Sequence, residues 1–124
     1  MYDVLLVSLG ALLGANSRFI IYTKLKKINL SKDYSITIIN ILSSFLLGLF
    51  LSSLPEIRSV SFSDKLILFF LIGCLGSLST FSTFVYDLLD ICLKLNFSRA
   101  LKIFILSLLL GVFALAFGLF LGNR

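Results

Sequence analysis

The chain contains no histidine, and it has only two cysteines among its 124 residues. Cys74 and Cys92 stand alone in or near apolar segments, so the sequence predicts neither a side-chain metal site nor a disulfide framework. Charge is also scarce, because 14% of the residues are charged, whereas a soluble domain usually has about a quarter. These shortages point away from a soluble globular domain.

Groups that could carry out catalysis are equally sparse, since no nucleophile has an adjacent base. Every acidic residue falls at the end of an apolar segment or in a loop: Asp3, Asp33, Glu56, Asp64, Asp87 and Asp90. All of these except Asp87 are interpreted as solvated loop charges. A membrane-embedded hydrolase needs an acid and a base within the membrane. The sequence therefore predicts that the protein is not an enzyme.

Long apolar segments dominate what remains, with 59% hydrophobic residues and a mean hydropathy of +1.10. Each segment is close to the roughly 20 residues that a helix needs to cross about 30 Å of hydrocarbon. The chain is thus predicted to be an all-α membrane protein with a single domain over residues 1–124. A soluble four-helix bundle is the disfavoured alternative, because the last segment has almost no polar face. The predicted spans are about 4–22, 34–54, 66–89 and 100–121. The second of these stops at Pro55.

The net charge of +5 lies mainly in short loops and predicts topology rather than nucleic-acid binding. Loops one and three share one side of the membrane and carry seven basic residues: Lys24, Lys26, Lys27, Lys32, Lys94, Arg99 and Lys102. The other side carries three: Arg58, Lys65 and Arg124. The positive-inside rule favours loops one and three in the cytoplasm and both termini outside. We expect no cleavable signal peptide, because the N-terminus carries Asp3 and lacks the basic region of such a peptide. We expect the protein to lie in the cell inner (plasma) membrane.

Neutral polar residues occur inside the second predicted span. Asn40 shares a helical face with Ser44 and Thr37, and Ser43 lies one turn after it. These side chains either bond across a packed helix–helix interface or face an ion pathway, and both interpretations stay open. Gly10 and Gly14, four residues apart, are interpreted as a close-packing face.

The third span contains a run of glycines and hydroxyl residues from Gly73 to Phe84. Freed backbone groups in hydrocarbon cost several kcal/mol each unless something satisfies them, so the run predicts a mid-membrane break and a pore or ion site. Phe81 and Phe84 lie three residues apart on one helical face. Aromatic rings have positive edges, which can hold a small anion weakly beside amide and hydroxyl donors such as Asn40, Ser82 and Thr83.

Three motifs, in order along the chain, give it a resemblance to the CrcB/Fluc family of fluoride channels. GALLGANSRF at 10–19 resembles the first-span motif GxxxGAxxR[YF], and NILSSFLLG at 40–48 resembles the second-span motif NxxGSFxxG. GCLGSLSTFSTF at 73–84 is similar to the third-span motif GxxGGxTTFSTF. The chain departs from the family pattern at Ile36, Ser43, Ser77 and Ser79.

The resemblance implies a passive channel that releases fluoride from the cell and so reduces its toxicity. Family members are antiparallel, dual-topology dimers in the lipid bilayer, with two pores and a central structural sodium ion held by main-chain carbonyls. Here the charge bias and the departures are compatible with a paralogous heterodimer as well as with a homodimer. By motif position, the resemblance implies a fluoride pathway with Asn40, Phe81, Phe84, Ser82, Thr83 and Ser107, sodium ligands at Gly76 and Ser79, and vestibule residues Arg18 and Asp87.

Two alternatives from other classes remain: a small non-conducting membrane partner protein, or a subunit of a transporter like the small multidrug exporters. Such exporters depend on an acidic residue embedded in the first span. Here the first segment carries Arg18 but no acid after Asp3. The sequence therefore argues against proton-coupled export.

Overall fold

The computed structural model describes residues 1–54 and 64–124, and all of its regular structure is helical. The first two helices are α1 (Tyr2–Lys27) and α2 (Lys32–Ser53). The last two are α3 (Phe81–Lys94) and α4 (Phe97–Gly122). Pro55, Glu56 and Arg58 of the predicted second loop lie outside the described residues.

The connection from α1 to α2 is a tight turn built by local hydrogen bonds. Asn29 adopts a left-handed conformation with φ of 58°, which asparagine tolerates better than most residues. Its N–H donates to the Lys26 carbonyl at 3.1 Å, and the Leu30 N–H donates to the Leu25 carbonyl at 3.2 Å. This is a Schellman motif, and it turns the chain directly into the first turn of α2.

The third span, helical from Asp64, changes its geometry before it reaches α3. Ile67–Leu75 is π-helical, and the Gly76 N–H bonds to the Leu71 carbonyl five residues back. A short helical turn, Gly76–Leu78, follows. Ser79 (φ −104°, ψ 55°) and Thr80 (φ −70°, ψ 119°) then lie outside regular helix, and Thr80 caps α3.

Glycines let α1 pack directly on the π-helical segment. A Cβ atom at Gly10 would collide with the Phe69 carbonyl, and one at Gly14 would collide with the Ser77 hydroxyl. Close backbone approach through small residues is the usual means of helix association in lipid. The sequence-based interpretation of Gly10 and Gly14 as a close-packing face is therefore confirmed.

The most extensive packing joins α2 and α4. Gly48 and Gly118 face each other there, because a Cβ atom on either would collide with the backbone of the opposite helix. α3 packs against the first half of α4 and completes a small apolar core. The buried members of this core are Ile36, Ile91, Ala100 and Ile103, with Phe84, Leu88 and Cys92 packed against it.

Large apolar side chains cover much of the outer surface, including Leu12, Leu109 and Phe113. The buried residues instead include several small hydroxyl side chains, such as Ser35, Thr37 and Ser43. Such an exterior suits contact with lipid or with another apolar surface. Within the described residues, four helical stretches are long and apolar enough to cross a membrane: Tyr2–Lys27, Asp33–Ser53, Asp64–Lys94 and Phe97–Gly122. The prediction of an all-helical chain with four such segments is confirmed.

Candidate functional site

A cavity of about 320 Å³ lies where α2, α3 and α4 meet, beside Ser79. Each of these elements contributes polar or aromatic side chains to its wall. Five residues predicted from the sequence line this cavity together: Asn40, Ser79, Phe81, Phe84 and Ser107. They belong to segments that are far apart in the chain, so the fold assembles this site.

Asn40, in the middle of α2, lines the cavity. Its main-chain carbonyl accepts a hydrogen bond from Ser43 Oγ at 3.1 Å. Among the described residues, however, no hydrogen bond of the Asn40 side chain is found. An amide that held two helices together would be bonded across their interface, so this arrangement favours an amide available to something inside the cavity.

The two phenylalanines differ in how they are held. Phe84 packs on the apolar core, and its ring lies 6.2 Å from the ring of Phe104 between centroids. Phe81, by contrast, is 74% exposed. The Phe84 ring is therefore held by contacts within this chain, whereas the Phe81 ring is largely uncovered.

Ser107 joins α4 to α2 through a hydroxyl pair. Its Oγ lies 3.1 Å from Thr37 Oγ1, and Thr37 Oγ1 also donates to the Asp33 carbonyl at 3.1 Å. Both side chains are buried. Bonding between helices thus falls to Thr37 and Ser107, one turn away from Asn40.

Ser82 and Thr83, also predicted in the pathway, are exposed on α3 and do not line this cavity. Thr83 Oγ1 donates to the Thr80 carbonyl at 2.8 Å. The structure thus separates these two hydroxyls from the five residues that it brings together.

The predicted cation ligands lie beside a second cavity, of about 240 Å³, which Gly76 and Ser79 line together with Ser43 and Ser44. The neighbouring carbonyls of Ser77, Leu78 and Thr80 all accept hydrogen bonds from side chains. Apart from bonds internal to a helix, none in the described part of the chain reaches the carbonyl oxygens of Gly76 or Ser79. Carbonyl oxygens are ligands that suit hard cations, so this donor set fits sodium.

Arg18 and Asp87, predicted in a vestibule, lie near each other. Arg18 Nη2 is 3.9 Å from Asp87 Oδ2, and both side chains are mostly buried. Arg18 Nη1 also donates to the Leu78 carbonyl at 2.8 Å. The arginine therefore connects α1 both to α3 and to the backbone just before Ser79.

Sequence reasoning missed several residues of the first cavity on α4: Phe104, Leu108, Gly111, Val112 and Leu115. Most of these recur with Ser107 at intervals of three or four residues, as one face of a helix does. That periodicity could have identified them. It is hard to detect here, because nearly every position of α4 is apolar.

The fold and this cavity define a small polytopic membrane protein with an uncharged, mostly apolar site that includes one amide residue and three serines. A family profile described as "CrcB-like protein, Camphor Resistance (CrcB)" matches residues 5–119. The chain belongs to this CrcB family, as its sequence motifs predicted.

Relatives with assigned names support the same assignment. The chain is 58% identical over 124 residues, 100% of both chains, to "Fluoride-specific ion channel FluC 2" of Prochlorococcus marinus (strain NATL2A). It is 36% identical over 122 residues, 96% of this chain and 94% of the relative, to "Fluoride-specific ion channel FluC" of Thermosipho melanesiensis. It is 35% identical over 118 residues, 95% of this chain and 90% of the relative, to "Fluoride-specific ion channel FluC 1" of Prochlorococcus marinus (strain MIT 9313).

Proposed function

We propose that this chain is a subunit of a fluoride-selective channel that lets cytoplasmic fluoride leave the cell passively. The observation that carries this proposal is that Asn40, Phe81 and Phe84 line one cavity, while no hydrogen bond of the Asn40 side chain is found among the described residues. Family membership and the names of the relatives support the identity of the ion. Lower cytoplasmic fluoride, and hence lower toxicity, is the expected benefit.

The chemistry of the cavity suits an anion that must bind and leave again. Asn40 donates N–H groups without a full positive charge, and the edges of Phe81 and Phe84 carry partial positive charge. Ser107 lines the α4 side of the cavity; because Thr37 donates its own proton to the Asp33 carbonyl, the Ser107 hydroxyl would turn from Thr37 to donate to the ion. Binding in a pore must be favourable but weak, and neutral donors with aromatic edges provide that balance. Ser82 and Thr83 would contribute where the pathway continues along α3.

A second subunit is needed to close the pathway, and we propose that the two subunits form an antiparallel dimer. Phe81 is 74% exposed and Gly76 is exposed beside it, although both belong to the candidate site. A partner placed against this surface would cover the ring and enclose both cavities. The interruption at Ser79 and Thr80 would then lie near mid-membrane, in the centre of the assembly.

We also propose a structural sodium ion at that centre. The carbonyls of Gly76 and Ser79 provide oxygen ligands from each subunit, and interrupted helices commonly coordinate cations in this way. The ion would stabilise polar backbone that otherwise costs free energy in hydrocarbon. Removing sodium should therefore lower the thermal stability of the purified dimer. Equal stability in sodium and in a large organic cation would contradict this role.

Arg18 and Asp87 are proposed to line the vestibule that leads to the pathway. They lie 3.9 Å apart and are each mostly buried, so their charges largely neutralise one another. This is compatible with a wide entrance that conducts an anion without trapping it. Permeation of this kind is passive and needs no catalytic residue.

The membrane and the orientation follow from the charge bias. We propose the inner (plasma) membrane, with loops one and three in the cytoplasm and both termini outside. A cysteine added after Arg124 and labelled in intact cells tests this orientation. Labelling almost wholly from outside would indicate one fixed orientation and a paralogous partner, whereas equal labelling from both sides would favour a homodimer.

The decisive experiment is fluoride efflux from liposomes that contain the purified chain, alone and with any paralogous subunit. Fluoride should leave rapidly when a potassium ionophore balances the charge, and chloride should not. Failure of every preparation to release fluoride would contradict the proposal and favour the non-conducting alternative. No observation specifically favours the exporter alternative.

A further inference from the structure

An ion pair that the pathway does not include joins the first turns of α2 and α4. Arg99 Nε lies 2.6 Å from Asp33 Oδ2. Asp33 is 7% exposed, whereas the Arg99 side chain is half exposed. Asn96 fixes the start of α4, because its side chain accepts a hydrogen bond from the Arg99 N–H at 3.2 Å. The carboxylate is therefore held between the helices, with the guanidinium on its outer side.

Polar groups connect this ion pair to the first cavity. The Asp33 carbonyl accepts from Thr37 Oγ1, which in turn lies 3.1 Å from Ser107 Oγ on the cavity wall. All of these groups lie between α2 and α4. At about 1.5 Å of rise per residue, the backbone of Asp33 is roughly 10 Å along α2 from that of Asn40. The carboxylate thus lies within range of an ion that enters the cavity from the end where α2 and α4 begin.

We propose that Arg99 is a positioning residue that neutralises the buried Asp33 carboxylate, so that an anion can enter from this end. The inference rests on the proposed function, because it concerns the same pathway. Without Arg99, the unpaired Asp33 carboxylate, about two helical turns before Asn40 on α2, would repel fluoride through a medium of low dielectric constant. Asp33 lies in the first turn of α2, where the helix dipole favours a negative charge.

The test compares fluoride efflux from liposomes for Arg99→Gln and for the double variant Asp33→Asn/Arg99→Gln. The single variant should release fluoride about tenfold more slowly at low fluoride concentration. The deficit should shrink at high concentration, because the unpaired charge opposes entry. The double variant has no unpaired charge and should recover rates near those of the wild type at all concentrations.

Two matched control variants test whether the slower efflux comes from a general loss of positive charge, and a normalisation accounts for any loss of folded protein. Lys94→Gln removes an equal charge from an exposed ion pair with Asp90, where Lys94 Nζ and Asp90 Oδ1 are 2.9 Å apart, and should leave efflux unchanged. Arg99→Lys keeps the charge and should conduct like the wild type. Rates are normalised to the amount of dimer found by size-exclusion chromatography, so that loss of assembled protein is not counted as slow conduction.

The outcomes distinguish this inference from the proposed function. Two results would overturn this inference and leave the proposed function intact, provided that the wild type releases fluoride normally. In the first, Arg99→Gln releases fluoride as fast as the wild type. In the second, Arg99→Gln is slower than the wild type by the same factor at every fluoride concentration. If Arg99→Gln does not assemble, Asp33→Asn decides. If Arg99 serves to neutralise Asp33, then Asp33→Asn should conduct at least as fast as the wild type at low fluoride concentration. Slower efflux through Asp33→Asn would overturn the inference. Absence of wild-type efflux would overturn the proposed function and this inference with it.

Discussion

The guanidinium of Arg18 donates a hydrogen bond of 2.8 Å to the main-chain carbonyl of Leu78, which is followed directly by the two non-helical residues of the third span. Leu78 is buried. The contact thus satisfies a backbone acceptor at the point where regular helix stops. It also explains how a charged residue is accommodated inside the first span.

Replacing Arg18 by methionine should destabilise the protein by about 2 kcal/mol, because a buried carbonyl loses a charged donor. The Asp87 carboxylate would also lose a nearby cation. Thermal unfolding in detergent, followed by the fraction of dimer that survives heating, measures the change. Lys26→Met is the matched control, since Lys26 is exposed at the end of α1, and it should unfold like the wild type. Equal unfolding of the two variants would contradict the role of the Arg18–Leu78 contact.

Replacing either Phe81 or Phe84 by isoleucine should slow fluoride efflux by at least about tenfold, because the aromatic edge that favours the anion is lost. Phe84→Ile should also lower stability, since its ring packs near Phe104 and on the core. Phe81→Ile should hardly affect the stability of the subunit. Phe113→Ile is the control, because Phe113 is 72% exposed and does not line the cavity. Normal efflux through both pathway variants would refute the role of the rings.

The variant Asn40→Asp should abolish fluoride efflux, because it introduces a negative charge at a point where the anion must pass. The dimer should still assemble, since no hydrogen bond of the Asn40 side chain is found among the described residues. Asn29→Asp is the control, because Asn29 is exposed in the turn between α1 and α2, and it should conduct like the wild type. Unchanged efflux in an assembled Asn40→Asp dimer would restore the interpretation of Asn40 as a contact between helices.

Ser107→Ala should slow efflux while lowering the free energy of unfolding by only about 1 kcal/mol. The stability cost is small because Thr37 Oγ1 keeps its hydrogen bond to the Asp33 carbonyl. Ser52→Ala provides a buried serine outside the cavity, bonded within its own helix, and should not alter efflux. If both variants conduct alike, the Ser107 hydroxyl is structural only.

Gly118→Ala should disrupt folding, because the added Cβ would collide with the Phe45 carbonyl and lie 3.0 Å from the Leu49 nitrogen. Backbone atoms cannot move aside without separating α2 from α4, and overpacking of this kind typically costs about 1–3 kcal/mol or more. Gly76→Ala has open space around the new methyl group, with the nearest atom 3.8 Å away, and its backbone carbonyl is retained. The yield of folded dimer is measured for both variants and should be lower for Gly118→Ala than for Gly76→Ala. Equal yields would contradict the packing argument.

Much of this fold could be predicted, because the relevant signals are local. Segment length and hydropathy indicated the four helical spans, since crossing hydrocarbon imposes a minimum apolar length. The glycine and hydroxyl run from Gly73 to Phe84 predicted a mid-membrane break, which stays a prediction, although Ser79 and Thr80 within it lie outside regular helix. Motif positions also pointed to Asn40, Phe81, Phe84 and Ser107 as pathway residues, and these four line the first cavity together with Ser79, which is predicted as a sodium ligand.

Contacts between distant residues were not predictable in the same way. Arg99 and Asp33 are 66 positions apart, and Thr37 and Ser107 are 70 apart. Their pairing depends on how α2 and α4 cross and rotate about each other. Nothing in the sequence around Asp33 distinguishes it from a solvated loop acid, which is how it was interpreted, yet the structure buries it beside Arg99.

The sequence by itself determined that this chain forms helices long and apolar enough to cross a membrane and that it belongs to the CrcB family, because apolar length and short motifs are properties of contiguous residues. Only the tertiary structure decided which polar groups bond to one another and which stay available. Thr37 and Asn40 lie one turn apart on the same helix, but close packing on α4 pairs Thr37 with Ser107, whereas Asn40 lines the cavity. That choice follows from the crossing of the two helices at Gly48 and Gly118, where backbone contact fixes their relative rotation.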